Sequence, residues 1–180
     1  AMGRDEDAAT FAPRAQAYRN LYCPEVGLMR GKDEHGNWRP WLGPTEFHGQ
    51  ACMEANPLQQ TWFVPHDPRG LMELMGRDRF LAQLEAMFER TPDNYFWNPY
   101  YNHSNEPVHQ LPYIFPYAGA PWLTQKWVRH IMQNAYGLGP EGLCGNEDIG
   151  QMSAWFLLSA MGIHPFCTGS NIFIIGSPLF

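Results

Sequence analysis

The stretch Gly145-Asn146-Glu147-Asp148-Ile149-Gly150-Gln151-Met152-Ser153-Ala154-Trp155-Phe156-Leu157-Leu158-Ser159-Ala160-Met161 shows the organisation of the chain in miniature. Its first six residues combine glycines, an amide and two acids, the composition of a tight loop. From Gln151 onward the breakers vanish, and the spacing predicts a helix over 151–161 with Met152, Trp155, Phe156 and Leu158 as its apolar residues. An acidic loop therefore runs into a helix.

The same alternation extends outward in both directions. Upstream, Pro121 opens a helical pattern to Tyr136 whose stripe is Trp122, Trp127, Ile131 and Ala135, and another pattern covers Val108–Tyr117. Before these lies an aromatic loop, Thr91 to Glu106, preceded by helical stretches at Leu71–Met75 and Asp78–Phe88. A further helix is predicted over Asp7–Tyr22, capped by Asp7 and stopped by Pro24, and a long loop rich in Gly, Trp and Pro follows to Gln50. Downstream, Asn171–Gly176 gives a strand signal. The expected fold is mainly α. Helix pairs whose loops converge on one face match part of an (α/α)6 barrel, a helical toroid, with a short C-terminal strand segment. About six helices are visible where a complete barrel has about twelve, so residues 1–180 fit roughly half of one.

Composition narrows the function. Eighteen acidic against 12 basic residues leave a charge of -6, which argues against a nucleic-acid or anionic-membrane surface. No apolar run approaches the roughly 20 residues that span a bilayer, and the start of the chain lacks the apolar core of a signal peptide. Charged residues reach only 17% and aromatics 14%, which excludes disorder. Seventeen glycines and 16 prolines place much of that aromatic content in structured loops. Ring faces stack on the C–H faces of sugars while carboxylates bond to hydroxyls, so such loops suit a carbohydrate. Cys23, Cys52, Cys144 and Cys167 form no C-x-x-C pair; four unpaired thiols are expected, with a disulfide and the redox compartment left open.

Carboxylates stand in loops beside helices at Glu54, Glu106 and the Glu147-Asp148 pair. Singly, each reads as a solvated charge or a cap, and Asp148 is placed to cap a helix from Ile149. Together they offer the two acids that glycoside hydrolysis needs, one to protonate the leaving oxygen and one to activate water or attack. His66, His103 and His109 lack the spacing of a zinc site. A hard cation held by Glu106, amide and backbone oxygens and water is chemically reasonable.

The segments then take on a familiar order. Glu54-Ala55-Asn56-Pro57-Leu58-Gln59-Gln60-Thr61-Trp62-Phe63-Val64-Pro65-His66-Asp67 resembles the general-acid segment of glycoside hydrolase family 92, the calcium-dependent exo-acting α-mannosidases. Asn105-Glu106-Pro107-Val108-His109 with Pro121-Trp122-Leu123-Thr124-Gln125 resembles a second family motif. The stretch from Gly145 to Trp155 and the closing Ile175-Gly176-Ser177-Pro178 resemble a third and a fourth. The resemblance implies inverting removal of terminal α-linked mannose, α-1,2 first among linkages, from mannosides or N-glycans. It places Glu54 as general acid, Asp148 as general base and Glu106 as ligand to Ca2+. His66, Asp67, Trp97, His109 and Glu147 become candidates for substrate contacts. Inversion implies acids about 6.5–9.5 Å apart.

It further implies a secreted, periplasmic or cell-surface protein whose mannose-containing glycan is its partner. A preceding β-sandwich domain has no counterpart here, so the chain is expected to pack against a missing remainder of its own. The sequence departs from the family where Pro57-Leu58-Gln59-Gln60 replaces an aromatic-bearing Ala-Trp-x-Tyr, and where Asn146 stands in place of an acid that some members carry. A non-catalytic carbohydrate-binding fragment and an α-glucoside-cleaving α/α-barrel enzyme are the alternative readings.

Overall fold

The computed structural model describes residues 3–179. Ala1 and Met2, at the start read above as no leader, and Phe180, where the family-like stretch ends, lie outside the described residues. Six α-helices dominate: α1 Asp5–Ala15, α2 Pro57–Gln60, α3 Pro68–Met75, α4 Arg77–Glu89, α5 Pro121–Asn134 and α6 Gln151–Ala160. Two small antiparallel hairpins join them, β1 Tyr22–Cys23 with β2 Leu28–Met29, and β3 Ile163–Pro165 with β4 Phe173–Ile175.

Local chemistry explains the boundaries. Asn56 and Gln59 form a reciprocal capping box around Pro57, which is why a helix as short as α2 forms at all. Asp67 caps α3 by accepting from the Gly70 amide, and Gly76, at φ 81°, turns the chain into α4. α4 buries Phe80, Leu84, Met87 and Phe88, and α5 buries Leu123, Trp127, Val128, Ile131 and Met132. Phe88 joins them at the centre, its ring 4.5 Å from Tyr101 and 5.2 Å from Trp127. α6 closes the core with Met152 and Trp155.

Three expectations change. The helix over Asp7–Tyr22 is instead α1 from Asp5, an Arg4 N-cap and no buried residue, followed by a 3-10 turn at Ala17–Leu21 and by β1 at Tyr22. The helix over Val108–Tyr117 is a series of 3-10 turns at Glu106–Val108, Leu111–Tyr113 and Phe115–Ala118. Pro107, Pro112 and Pro116 each sit at the start of one of these turns, where an absent N–H is harmless but a continuous α-helical ladder is impossible. In the α5 stripe Trp127, Ile131 and Ala135 are buried, whereas Trp122 is 60% exposed. The predicted strand at 171–176 is β4, and the long loop after Pro24 contains β2 and an isolated bridge from Lys32 to Trp38. All four cysteines are free, Cys23 and Cys144 buried and the others half-buried. Among the described residues, no helix is long and apolar enough to cross a membrane.

Three histidines lie inside this core. Burial holds His103 well below the usual imidazole range, aided by neighbouring His109. Burial likewise takes His109 to about 4, against the opposing pull of the His103 carbonyl and Asp148, and His164 to about 4, with His109 adding. Unfolded imidazoles titrate near ~6.5. Between that value and the folded one the unfolded chain binds more protons, so stability is complete above about pH 6.5 and is lost as pH falls toward 4. Thermal melts should therefore show a constant Tm near neutrality and a progressive fall below pH 6.5, each histidine contributing up to about 1.4 kcal/mol per pH unit. A Tm unchanged between pH 7 and pH 5 would contradict this.

Candidate active site

Glu54 ends a loop that folds into α2, and its backbone is left-handed at φ 51°. Asp148 and Ile149, ahead of α6, are also left-handed at φ 44° and 58°, and Gly150 follows at 89°. Such conformations cost non-glycine residues about 1–3 kcal/mol each and concentrate at functional sites. Both acids of the expected catalytic pair therefore sit on strained backbone.

Three contacts bring their loops together. The Asn105 side-chain amide donates to the Glu54 carbonyl at 2.8 Å. Asn56 donates to the Pro99 carbonyl at 2.9 Å, and Gln59 to those of Asn98 and Tyr100, so the loop before α2 is tied to the aromatic loop. At the third contact Gly145 passes so near Ser104 that a Cβ on it would lie 2.4 Å from the Ser104 carbonyl oxygen. That approach sets the strand of chain carrying Asp148 beside the one carrying Glu106.

The electrostatics follow from the crowding. The Glu106 carboxyl is raised above its ordinary range, first by burial, then by the neighbouring Asp148 carboxyl and by the charge of Glu54. One of its oxygens, Oε1, is buried with no hydrogen-bond partner, and so is Nε2 of Gln110. Both residues line a cleft of about 460 Å³, with Gln151, Phe63, Phe166 and Thr168 among its other walls. A larger hollow of about 510 Å³, beside Leu28, Trp41, Leu58 and Met87, has no carboxylate in its walls and lies apart from this chemistry.

Among the described residues no cluster of three His, Cys, Asp or Glu is placed to hold a metal alone. The orphaned Glu106 oxygen and its like-charged neighbours nonetheless fit a hard cation, completed by amide, backbone and water oxygens.

The remaining sequence candidates are distributed differently. The N-cap of α6 is Gly150, and Glu147 reaches the first turn of the helix, accepting from the Ser153 amide at 3.2 Å and its hydroxyl at 3.1 Å. The Asp67 carboxylate is taken by the Gly70 amide and the Tyr18 hydroxyl, and His66 Nε2 by the Ala15 carbonyl at 2.8 Å. Trp97 is exposed, its ring 5.7 Å from Phe47. His109 is buried behind Gln151. Glu54, Glu106 and Asp148 thus share one neighbourhood, while His66, Asp67 and Glu147 are bonded within the protein. Gln110 and Gln151 give no sign of a role in the sequence: Gln151 sits inside a quoted motif and Gln110 directly after one, but an uncharged amide carries no signal of its own.

A Gly145→Ala chain must move the Ser104 backbone, because real Cβ contacts below 3.0 Å essentially never occur. We expect a loss of about 1–3 kcal/mol, a fall in Tm of several degrees. Gly137→Ala, whose Cβ would meet only an ordinary 3.6 Å contact, should be tolerated. Equal melting temperatures for the two would sink the argument.

The chain is similar to known glycosidases in sequence and in fold. A family 92 α-mannosidase of Bacteroides thetaiotaomicron superposes with a TM-score of 0.89 at 37% identity, over 98% of this chain and 24% of that one. An inverting family 92 mannosidase of the same organism gives 0.85 at 39% identity, over 99% of this chain and 26% of that one. An uncharacterized secreted glycosidase of Arthroderma benhamiae is 29% identical over 134 residues, 74% of this chain and 16% of its own length. The chain therefore spans about a quarter or less of these relatives. The mainly helical fold is that of the (α/α)6-type barrel in the family 92 structures. Residues 1–180 match the glycosyl hydrolase family 92 catalytic domain throughout, and the chain belongs to that family.

Proposed function

We propose that the protein to which this chain belongs removes terminal α-linked mannose, with α-1,2 linkages preferred, by an inverting, calcium-assisted mechanism. The observation that carries the reading is the gathering of Glu54, Glu106 and Asp148, two of them on strained backbone, in one neighbourhood, with Glu106 on the wall of the cleft. Glu54 donates its proton to the glycosidic oxygen as that bond to the anomeric carbon breaks. Asp148 takes a proton from a water that attacks the anomeric carbon from the opposite face, so the configuration inverts. Phe63 and Phe166 offer apolar walls to the sugar, while Glu106, Gln110 and Gln151 offer polar ones. Glu106 would hold a calcium ion, which would supply positive charge for binding the sugar hydroxyls.

The substrates are mannosides and N-glycans, met outside the cytoplasm, as the word "secreted" in one relative's name suggests. Exposed Leu157 on α6, Met161 just after it, and Phe173 and Ile175 on β4 are the apolar side chains that the remainder of a longer chain would cover.

Glu54→Gln and Asp148→Asn in the full-length protein should each reduce kcat on mannobiosides by about two to four orders of magnitude. Glu54→Gln should lose less on an aryl mannoside whose leaving group needs no proton, and proton NMR should show β-mannose as the first product. Full activity in either variant, or α-mannose first, would refute the assignment. α-Glucoside turnover insensitive to chelator would favour the other α/α-barrel reading.

Chelation should lower wild-type activity, with calcium restoring it and raising Tm by binding the native state. Glu106→Gln should abolish both calcium effects. Its Tm in chelator should equal or exceed that of wild type, because an ionised group is removed from among like charges. A calcium-induced rise in Tm that persists in Glu106→Gln would remove Glu106 from the site.

A further inference from the structure

His109 is 3% exposed, and both of its ring nitrogens are engaged inside the protein. The proton positions follow from a buried relay of hydroxyls and imidazoles. The Tyr136 hydroxyl donates to the Met152 carbonyl at 3.0 Å, so at 2.8 Å from His103 Nε2 it accepts. His103 therefore carries its proton on Nε2, and its Nδ1 accepts from the Tyr101 hydroxyl at 2.7 Å. The His103 carbonyl can only accept, so His109, 2.9 Å away, donates to it through Nε2. A neutral imidazole has one proton. His109 Nδ1 is thus a bare acceptor, and it faces the Gln151 side-chain amide at 3.3 Å.

Only the NH2 end of Gln151 can answer an acceptor. Its carbonyl oxygen is left without a protein partner among the described residues, on a side chain that lines the cleft beside Glu106 and Gln110. We propose that His109 is a positioning residue whose Nδ1 orients Gln151 so that Gln151 Oε1 is presented to the cleft as an acceptor for a sugar hydroxyl. Gln110 lines the same wall, with its Nε2 buried and unpartnered. His109 touches no substrate in this arrangement, which builds on the function proposed above.

Two substitutions separate positioning from packing. In His109→Asn the side-chain oxygen takes the place of Nδ1 and keeps the acceptor toward Gln151. In His109→Gln the amide nitrogen takes the place of Nε2 and keeps the bond to the His103 carbonyl, but the acceptor is lost. For the full-length enzyme acting on an α-mannoside, kcat/KM should stay within about threefold of wild type in His109→Asn. It should fall about tenfold or more in His109→Gln, chiefly through KM. Losses that track Tm in both variants, or that fall equally, would overturn the proposal.

A second measurement needs no activity. Imidazole 15N spectra should show His109 as the Nε2–H tautomer, with its Nδ1 resonance displaced in Gln151→Leu. The other tautomer, or an unmoved resonance, would overturn the proposal. If wild type cleaves no mannoside, the proposed function falls, and the spectra still decide the orientation of Gln151.

Discussion

The close passage of Gly145 over Ser104 is the constraint on which the rest of the site depends. With no Cβ at 145, two backbones meet at a distance that no other residue permits. Asp148 follows three residues after one partner and Glu106 two residues after the other, so the contact sets two acids side by side. Asn105, between Ser104 and Glu106, reaches to the Glu54 carbonyl and adds the third loop. A single steric allowance therefore assembles a site whose members are 94 residues apart in the chain, from Glu54 to Asp148.

That assembly works against folding. Like charges and burial disfavour an ionised Glu106, and left-handed backbone is strained at Glu54, Asp148 and Ile149. The compensation lies behind the site, in a densely aromatic core and a relay of paired hydroxyls and imidazoles. Trp155 donates to the His109 carbonyl at 2.9 Å, and Tyr136 to that of Met152, so α6 is anchored to the Glu106 loop from within. The same anchorage holds His103 and His109 buried and neutral, which ties the rigidity of the site to pH.

Much of the helical layout is legible in the residues. Pro121 and the Trp127-Ile131-Ala135 spacing announce α5, and the loss of breakers after Gly150 announces α6. The misreadings have local causes. Apolar residues at helical spacing between Val108 and Tyr117 hide three prolines that forbid a continuous ladder. Asp148 looks like the cap of α6, but the backbone is left-handed from 148 to 150, and it is Glu147 that reaches the Ser153 amide. His66 and Asp67 stand in a family-like segment, yet their partners Ala15 and Tyr18 come from a distant element that spacing does not reveal.

The sequence alone determined the helical class, the acidic loops ahead of helices and the membership of Glu54, Glu106 and Asp148 in motifs, because periodicity, breakers and charge are local properties. Which acids meet, which one reaches the first turn of α6, which imidazole nitrogen carries a proton and which end of Gln151 faces His109 were decided only by tertiary structure. Each depends on a partner far along the chain, and a hydrogen bond or a like-charge contact exists only once both partners have been brought within reach.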